Sequence, residues 1–184
     1  MPYSSPKFNE RKATQMAARF LAAAGKKMPY MSVLKLMYFV DREALKRWGT
    51  PVTNDSYFAL DHGPILSNVY DLMVEDHERR GFWATHISSP TDYRIELIDE
   101  AGNDQLSKAE ERLIDEVFAK NGRLDQWELR KKSHDFPEWK DPHGSRLKIE
   151  IEDILTATGT DPNEAEKRAR ELNGLRKMQA LSID

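Results

Sequence analysis

The sequence predicts an α+β fold, mostly helical, in which a small three-stranded antiparallel sheet packs against one central helix. Three observations predict it. Apolar residues recur at helical spacing through most of the chain, and the period changes to extended alternation only between Gly49 and Asp99. One stretch, residues 32–48, is apolar over an unusually wide face: Val33, Met37, Val40, Ala44 and Trp48 form one stripe at ~100° per residue, and Leu34, Tyr38 and Leu45 form a row beside it. A helix that wide on its apolar side is covered from two directions, which makes it the expected centre of the fold. Asp41 falls between the two rows and is expected to be buried and hydrogen-bonded, because an unpaired carboxylate there would be costly. Phe39 points into the sector of Lys35, Arg42, Glu43 and Lys46, which reads as a solvated face carrying one exposed aromatic.

The remaining elements follow in order. The first nine residues, with two prolines and two serines, read as an unpartnered arm. Asn9 is placed to cap a helix over 10–24, which packs by one narrow face of Ala13, Met16, Ala17, Phe20 and Leu21 and closes at Gly25. The segment 25–31 turns the chain into the central helix, capped by Ser32 and ended by Gly49. The cluster 53–56 is a turn before a strand over 57–60. Next, Gly63 permits a sharp turn and Pro64 suits the first position of a helix, where its missing N–H is not needed; Ile65, Leu66, Val69, Tyr70 and Met73 give that helix its apolar face, and the polar run 75–80 leads to a stop at Gly81. Alternation over 82–87 and 93–98 predicts a hairpin, which joins the strand 57–60 to complete the sheet.

The second half is helical. Ser107 and Glu110 form a capping box before Ala109, Leu113, Ile114, Val117 and Phe118, and Asn121-Gly122 breaks that helix. Asp125 caps the next one, with Glu128 reaching back, and its far end is 131–135, followed by Phe136-Pro137-Glu138-Trp139. Ile149, Ile151, Ile154 and Leu155 predict a short helix ended by Gly159, and Asp161-Pro162-Asn163-Glu164 opens a last helix with a thin stripe of Ala165, Ala169 and Leu172. With no internal repeat and no long linker, the chain reads as one domain with a loosely attached carboxyl tail.

Composition narrows the function. With 28 basic and 31 acidic residues the net charge is −3, so the chain lacks the basic field of a nucleic-acid binder, and direct contact with DNA or RNA is not expected. It has no cysteine, which excludes disulfides, thiolate zinc sites and cysteine nucleophiles. No apolar run approaches the ~18 residues of a membrane span and no signal-peptide core is visible, so a cytoplasmic protein is expected. Ser133-His134-Asp135 has the composition of a triad, yet three neighbours at a helix end cannot align nucleophile, base and orienter. The set His134, Asp135, Glu138, Asp141 and His143 matches no helix-borne metal spacing, and phosphate loops and nucleophile elbows are missing; no metal, cofactor or catalytic residue is expected. His62 is expected to bond local backbone at its turn, and the basic residues of the last helix, interleaved with acids, read as a solvated face.

Three segments carry a resemblance: LKLMYFVDREALKRWG, then FALDHGPILSNVYD, then SHDFPEWK. In order and spacing they resemble the Panacea domain, also called the SocA-like antitoxin domain and earlier grouped with phage-associated GepA proteins. The resemblance covers about 29–140, with 149–184 a helical extension. It implies an antitoxin of a two-gene, type II toxin–antitoxin system, which neutralises a toxin encoded by an adjacent gene through direct binding. An adaptor that delivers the toxin to a ClpXP-type protease is the alternative it implies. A hydrolase using His62, Asp41 and His134 is the rival from another class. The motif residues Asp41, His62, Gly63, Pro64, Tyr70, His134, Pro137 and Trp139 are expected to be scaffold, and the mixed aromatic and basic set Lys35, Phe39, Arg42 and Lys46 is the expected toxin contact.

Overall fold

A computed structural model of the chain describes residues 7–74 and 81–180. The first six of the nine residues expected as an arm and the polar run 75–80 lie outside the described residues. The fold is α+β and mostly helical, with a small three-stranded antiparallel sheet.

Helix α1 (Glu10–Ala23) begins where the Asn9 side chain accepts a hydrogen bond from the Lys12 N–H at 3.0 Å. Its buried face is wide rather than narrow, running through Ala13–Ala18, Phe20 and Leu21, because Gln15 is enclosed by the loop at 101–105. The 25–31 segment is not a simple turn. Its residues Lys27–Pro29 form strand β1, and Pro29, not Ser32, stands at the start of the central helix α2 (Tyr30–Trp48). Ser32 is buried, and no side chain caps α2: the Tyr30 N–H is taken instead by the carbonyl of Tyr93 across the chain. Gly49 ends α2 in the left-handed conformation, φ 70°, as its position predicts.

Helix α2 is central, but its surroundings differ from the expectation. Every residue from Ser32 to Asp41 is buried, including Lys35 and Phe39, so the sector read as solvated is covered. The cover is α6 (Gln126–His134) and the loop that follows it, whose aromatics the sequence places in a short polar-looking segment. The stripe ends at Trp48, which is 39% exposed.

The three-stranded sheet is built from other segments than those expected. Strand β2 (Tyr57–Leu60) stands where alternation put it, and it pairs with β3 (Gly63–Leu66) through a two-residue turn at Asp61-His62. Pro64 therefore does not open a helix. It sits opposite Ala59 on an edge strand, where a missing N–H costs no ladder bond. Helix α3 (Ser67–Val74) starts later, because Asp55 accepts from the N–H groups of Asn68 and Val69 and caps it from the preceding loop. The other neighbour of β2 is β5 (Leu147–Ile149), so Ile149 belongs to a strand and helix α7 (Ile151–Ala157) begins after it.

The expected strand at 82–87 is a short helix, α4 (Phe82–His86). Alternation over six residues cannot outweigh the Glu10 carboxylate, which takes the Trp83 N–H at 2.9 Å and fixes the turn, while the Trp83 side chain is buried. Strand β4 (Arg94–Glu96) accordingly pairs with β1, leaving the isolated bridges Ile87–Leu97 and Thr91–Arg94 from the expected hairpin. Helices α5 (Lys108–Asn121) and α6 carry both capping boxes that the sequence announces, and α8 (Pro162–Ala180) buries the thin stripe Ala165, Ala169 and Leu172.

Candidate partner-binding site

Around α2 the structure brings together most of the residues that stand out in the sequence. Asp41 is fully buried and accepts from the N–H groups of Val52 at 2.9 Å and Thr53 at 3.0 Å, the Tyr57 hydroxyl at 2.9 Å, and the Thr53 hydroxyl. Burial raises its pKa to about 6 against these donors. Asp41 thus ties the 50–57 segment to α2, and none of its donors is a histidine. It does not orient His62 or His134, so the constellation a hydrolase would need from these residues is not assembled.

One turn earlier, Lys35 is 1% exposed and donates to the Pro64 carbonyl at 2.7 Å. Burial, with the Arg130 guanidinium nearby, lowers its pKa to about 7. Gly63 lies against the same group with φ 97°; a Cβ there would stand 2.8 Å from the Lys35 ammonium and 2.4 Å from the Ser133 hydroxyl, so only glycine fits. Arg130 donates to the Asp61 carbonyl and the Trp139 indole N–H to the Leu60 carbonyl, each at 3.2 Å. The His134 ring stacks on Trp139 at 3.8 Å, and burial lowers its pKa. His62 is exposed and meets Trp127 edge-on at 6.3 Å, instead of bonding local backbone. Tyr70, half-buried on α3, has its phenol near that of Tyr30, and Pro137 is exposed.

A third set of contacts seats the 136–139 loop. Glu138, whose side chain is fully buried, accepts from Arg42 Nε at 2.7 Å, Arg42 Nη2 at 3.3 Å and the Tyr38 hydroxyl at 3.0 Å. Burial and the Glu138 carboxylate push the Tyr38 pKa well up. The Arg42 guanidinium lies 4.0 Å over the Phe136 ring, which in turn meets Phe39 edge-on at 5.3 Å. The pairing of Glu138 with Arg42 and Tyr38 is a contact the sequence reading did not find. Its signal was present: an acid between aromatics in FPEW needs a cation, and Arg42 lies one turn beyond Tyr38 on α2.

The four residues expected as the toxin contact do not share one exposed face. Lys35 is enclosed beneath Pro64, and Phe39 is 6% exposed, so truncating Phe39 to alanine costs folding stability, about 3 kcal/mol. Lys46 is exposed and Arg42 half-buried. Both, with the remaining surface of Phe39, line a groove of about 430 Å³ between α2, the end of α5 and the 136–139 loop.

The segments that meet here are the three that carry the resemblance. The family model described as Antitoxin SocA-like, Panacea domain, matches residues 33–140. The chain belongs to this family. Comparisons with curated proteins and with solved structures return no match. In this Panacea domain the matched region runs from the second turn of α2 to the loop that seats Glu138, and so contains every contact around Asp41, Lys35 and Glu138 described above. Strand β5, which completes the sheet, lies beyond it. Among the described residues no helix is long and apolar enough to cross a membrane.

Proposed function

We propose that this chain is a cytoplasmic antitoxin that neutralises a toxin encoded by an adjacent gene, by binding it directly and performing no chemistry of its own. The observation that carries the reading is membership of the SocA-like antitoxin family over 33–140. The geometry supports it: Lys35, Asp41, Tyr38 and Glu138 use their buried polar groups to join α2 to the 50–57 segment, β3 and the 136–139 loop, a scaffold that leaves Arg42 and Lys46 on the α2–α5 groove. Arg42 and Lys46 on that groove are the toxin contacts of the expected set, and Lys35 and Phe39 support them from beneath.

The test is to express the adjacent gene alone and together with this one, following growth and co-purification. Growth arrest by the neighbour, rescue by this chain and a stable complex of the two are expected. A harmless neighbour, or rescue without any physical complex, overturns the reading. Rescue that needs a ClpXP-type protease would move it to the adaptor class.

A further inference from the structure

The charges of the groove are unequal, and the inequality specifies a partner. Two carboxylates line it, Glu43 and Glu116, and both are held by Arg47, at 2.7 and 2.8 Å. Arg42 is neutralised by Glu138. Lys46, Lys120 and Lys132 also line the groove, and among the described residues none of them has a carboxylate partner; Lys132 donates at 2.7 Å to the Asn121 side-chain oxygen. The Arg47 cluster keeps one negative charge against these three lysines, so the groove retains two positive charges on a protein whose net charge is −3. Its floor is apolar, made of Phe39, Val117 and the half-buried Phe136.

An apolar floor ringed by unpaired lysines is complementary to a segment with the opposite pattern. We propose that this groove takes an acidic segment of the partner toxin, in which carboxylates flank an apolar or aromatic anchor. The anchor packs against Phe39 and Phe136, and the carboxylates meet Lys46, Lys120 and Lys132. At about 430 Å³ the groove accepts a few side chains of a short segment, not the face of a domain. The proposal rests on the reading of this chain as a toxin-binding antitoxin, and its test separates the two.

Two arms are needed, with the full chain in both. In the first, the product of the adjacent gene is titrated with wild type, with Lys46→Glu/Lys120→Glu, and with the triple variant that adds Lys132→Glu. The double variant alters only exposed side chains, and unchanged thermal melting confirms that it folds. Association is expected to weaken by about tenfold or more, and wild-type association to weaken as salt is raised. In the second, displayed random short peptides are selected on wild type and on the double variant. Wild type is expected to enrich acidic peptides with an aromatic or aliphatic residue at the centre, and the variant to lose that enrichment. A toxin complex that forms equally well with both variants leaves the antitoxin reading standing and overturns the groove. Selection without acidic enrichment also overturns it. If wild type forms no toxin complex, the antitoxin reading falls, and the peptide selection alone decides what the groove recognises.

Discussion

Lys35 and Asp41 lie six residues apart on one helix, both buried and without a countercharge in hydrogen-bond contact, yet they respond to pH in opposite directions. The Lys35 pKa falls from 10.5 to about 7, so between those values the unfolded chain holds a proton that the folded chain releases. Stability contributed by this group therefore rises with pH from about 7 upward, and at lower pH the buried charge is a constant cost. Lys35→Met should lose that rise, visible as a flat urea midpoint between pH 7 and pH 9.5 where wild type climbs. The Asp41 pKa is raised from 3.8 to about 6, so the folded chain holds the extra proton and wild-type stability falls as pH climbs through that window. Asp41→Ala leaves the Val52 and Thr53 N–H groups without their acceptor and should cost on the order of 3 kcal/mol at neutral pH, with the gap to wild type widening as pH falls toward 4. Unfolding curves at pH 7 and pH 4.5 check both. Asp41 was legible in the sequence because a charge inside an apolar stripe has one meaning. Lys35 and Phe39 were not: a lysine, an arginine and a glutamate around a phenylalanine describe a wet face until something covers them, and the cover comes from nearly a hundred residues downstream.

At the scale of elements, the capped helices declared themselves, while the strand pairings and the short helix α4 did not. Capping boxes at Ser107 and Asp125 and the caps at Asn9 and Asp161 are local, and each is present as read. The sheets depend on partners distant in sequence. Strand β1 is three residues long and is defined by Arg94–Glu96, while β3 looks like a helix start until Lys35 claims the Pro64 carbonyl and Asp55 caps α3 three residues later. The tight seating of β3 against α6 gives a sharp test. Gly63→Ala adds a methyl group at φ 97° that meets both Ser133 and Lys35, so it should cost about 2 kcal/mol or more and speed hydrogen exchange in 57–66 and 130–140 together. Exchange that quickened only in the β2–β3 turn would mean that the turn is not anchored to α6.

For the whole molecule the question is how far the folding unit extends past the family-matched region. We propose that the chain behaves as one cooperative unit, and that the extension is no loose tail. Strand β5 pairs with β2 along Tyr57, Phe58 and Ala59, α7 packs on α2, and Ile149, Ile154 and Leu155 join the buried core. Without β5, the inner strand β2 becomes an edge with unpaired backbone groups, flanked by apolar side chains that nothing shields. Truncation after Lys140 should therefore yield protein that aggregates or melts without a sharp transition, although every residue of the match at 33–140 is retained. The substitution Ile149→Asp in the full chain, which buries a charge at the same seam, should lower the melting temperature and favour association through the β2 edge. A truncated chain that stays monomeric by light scattering and melts as sharply as the full one would show that the unit ends at the loop seating Glu138. In that case β5, α7 and α8 are a separate attachment, and the groove between α2 and α5, which lies wholly inside the matched residues, would keep its affinity in the shortened protein.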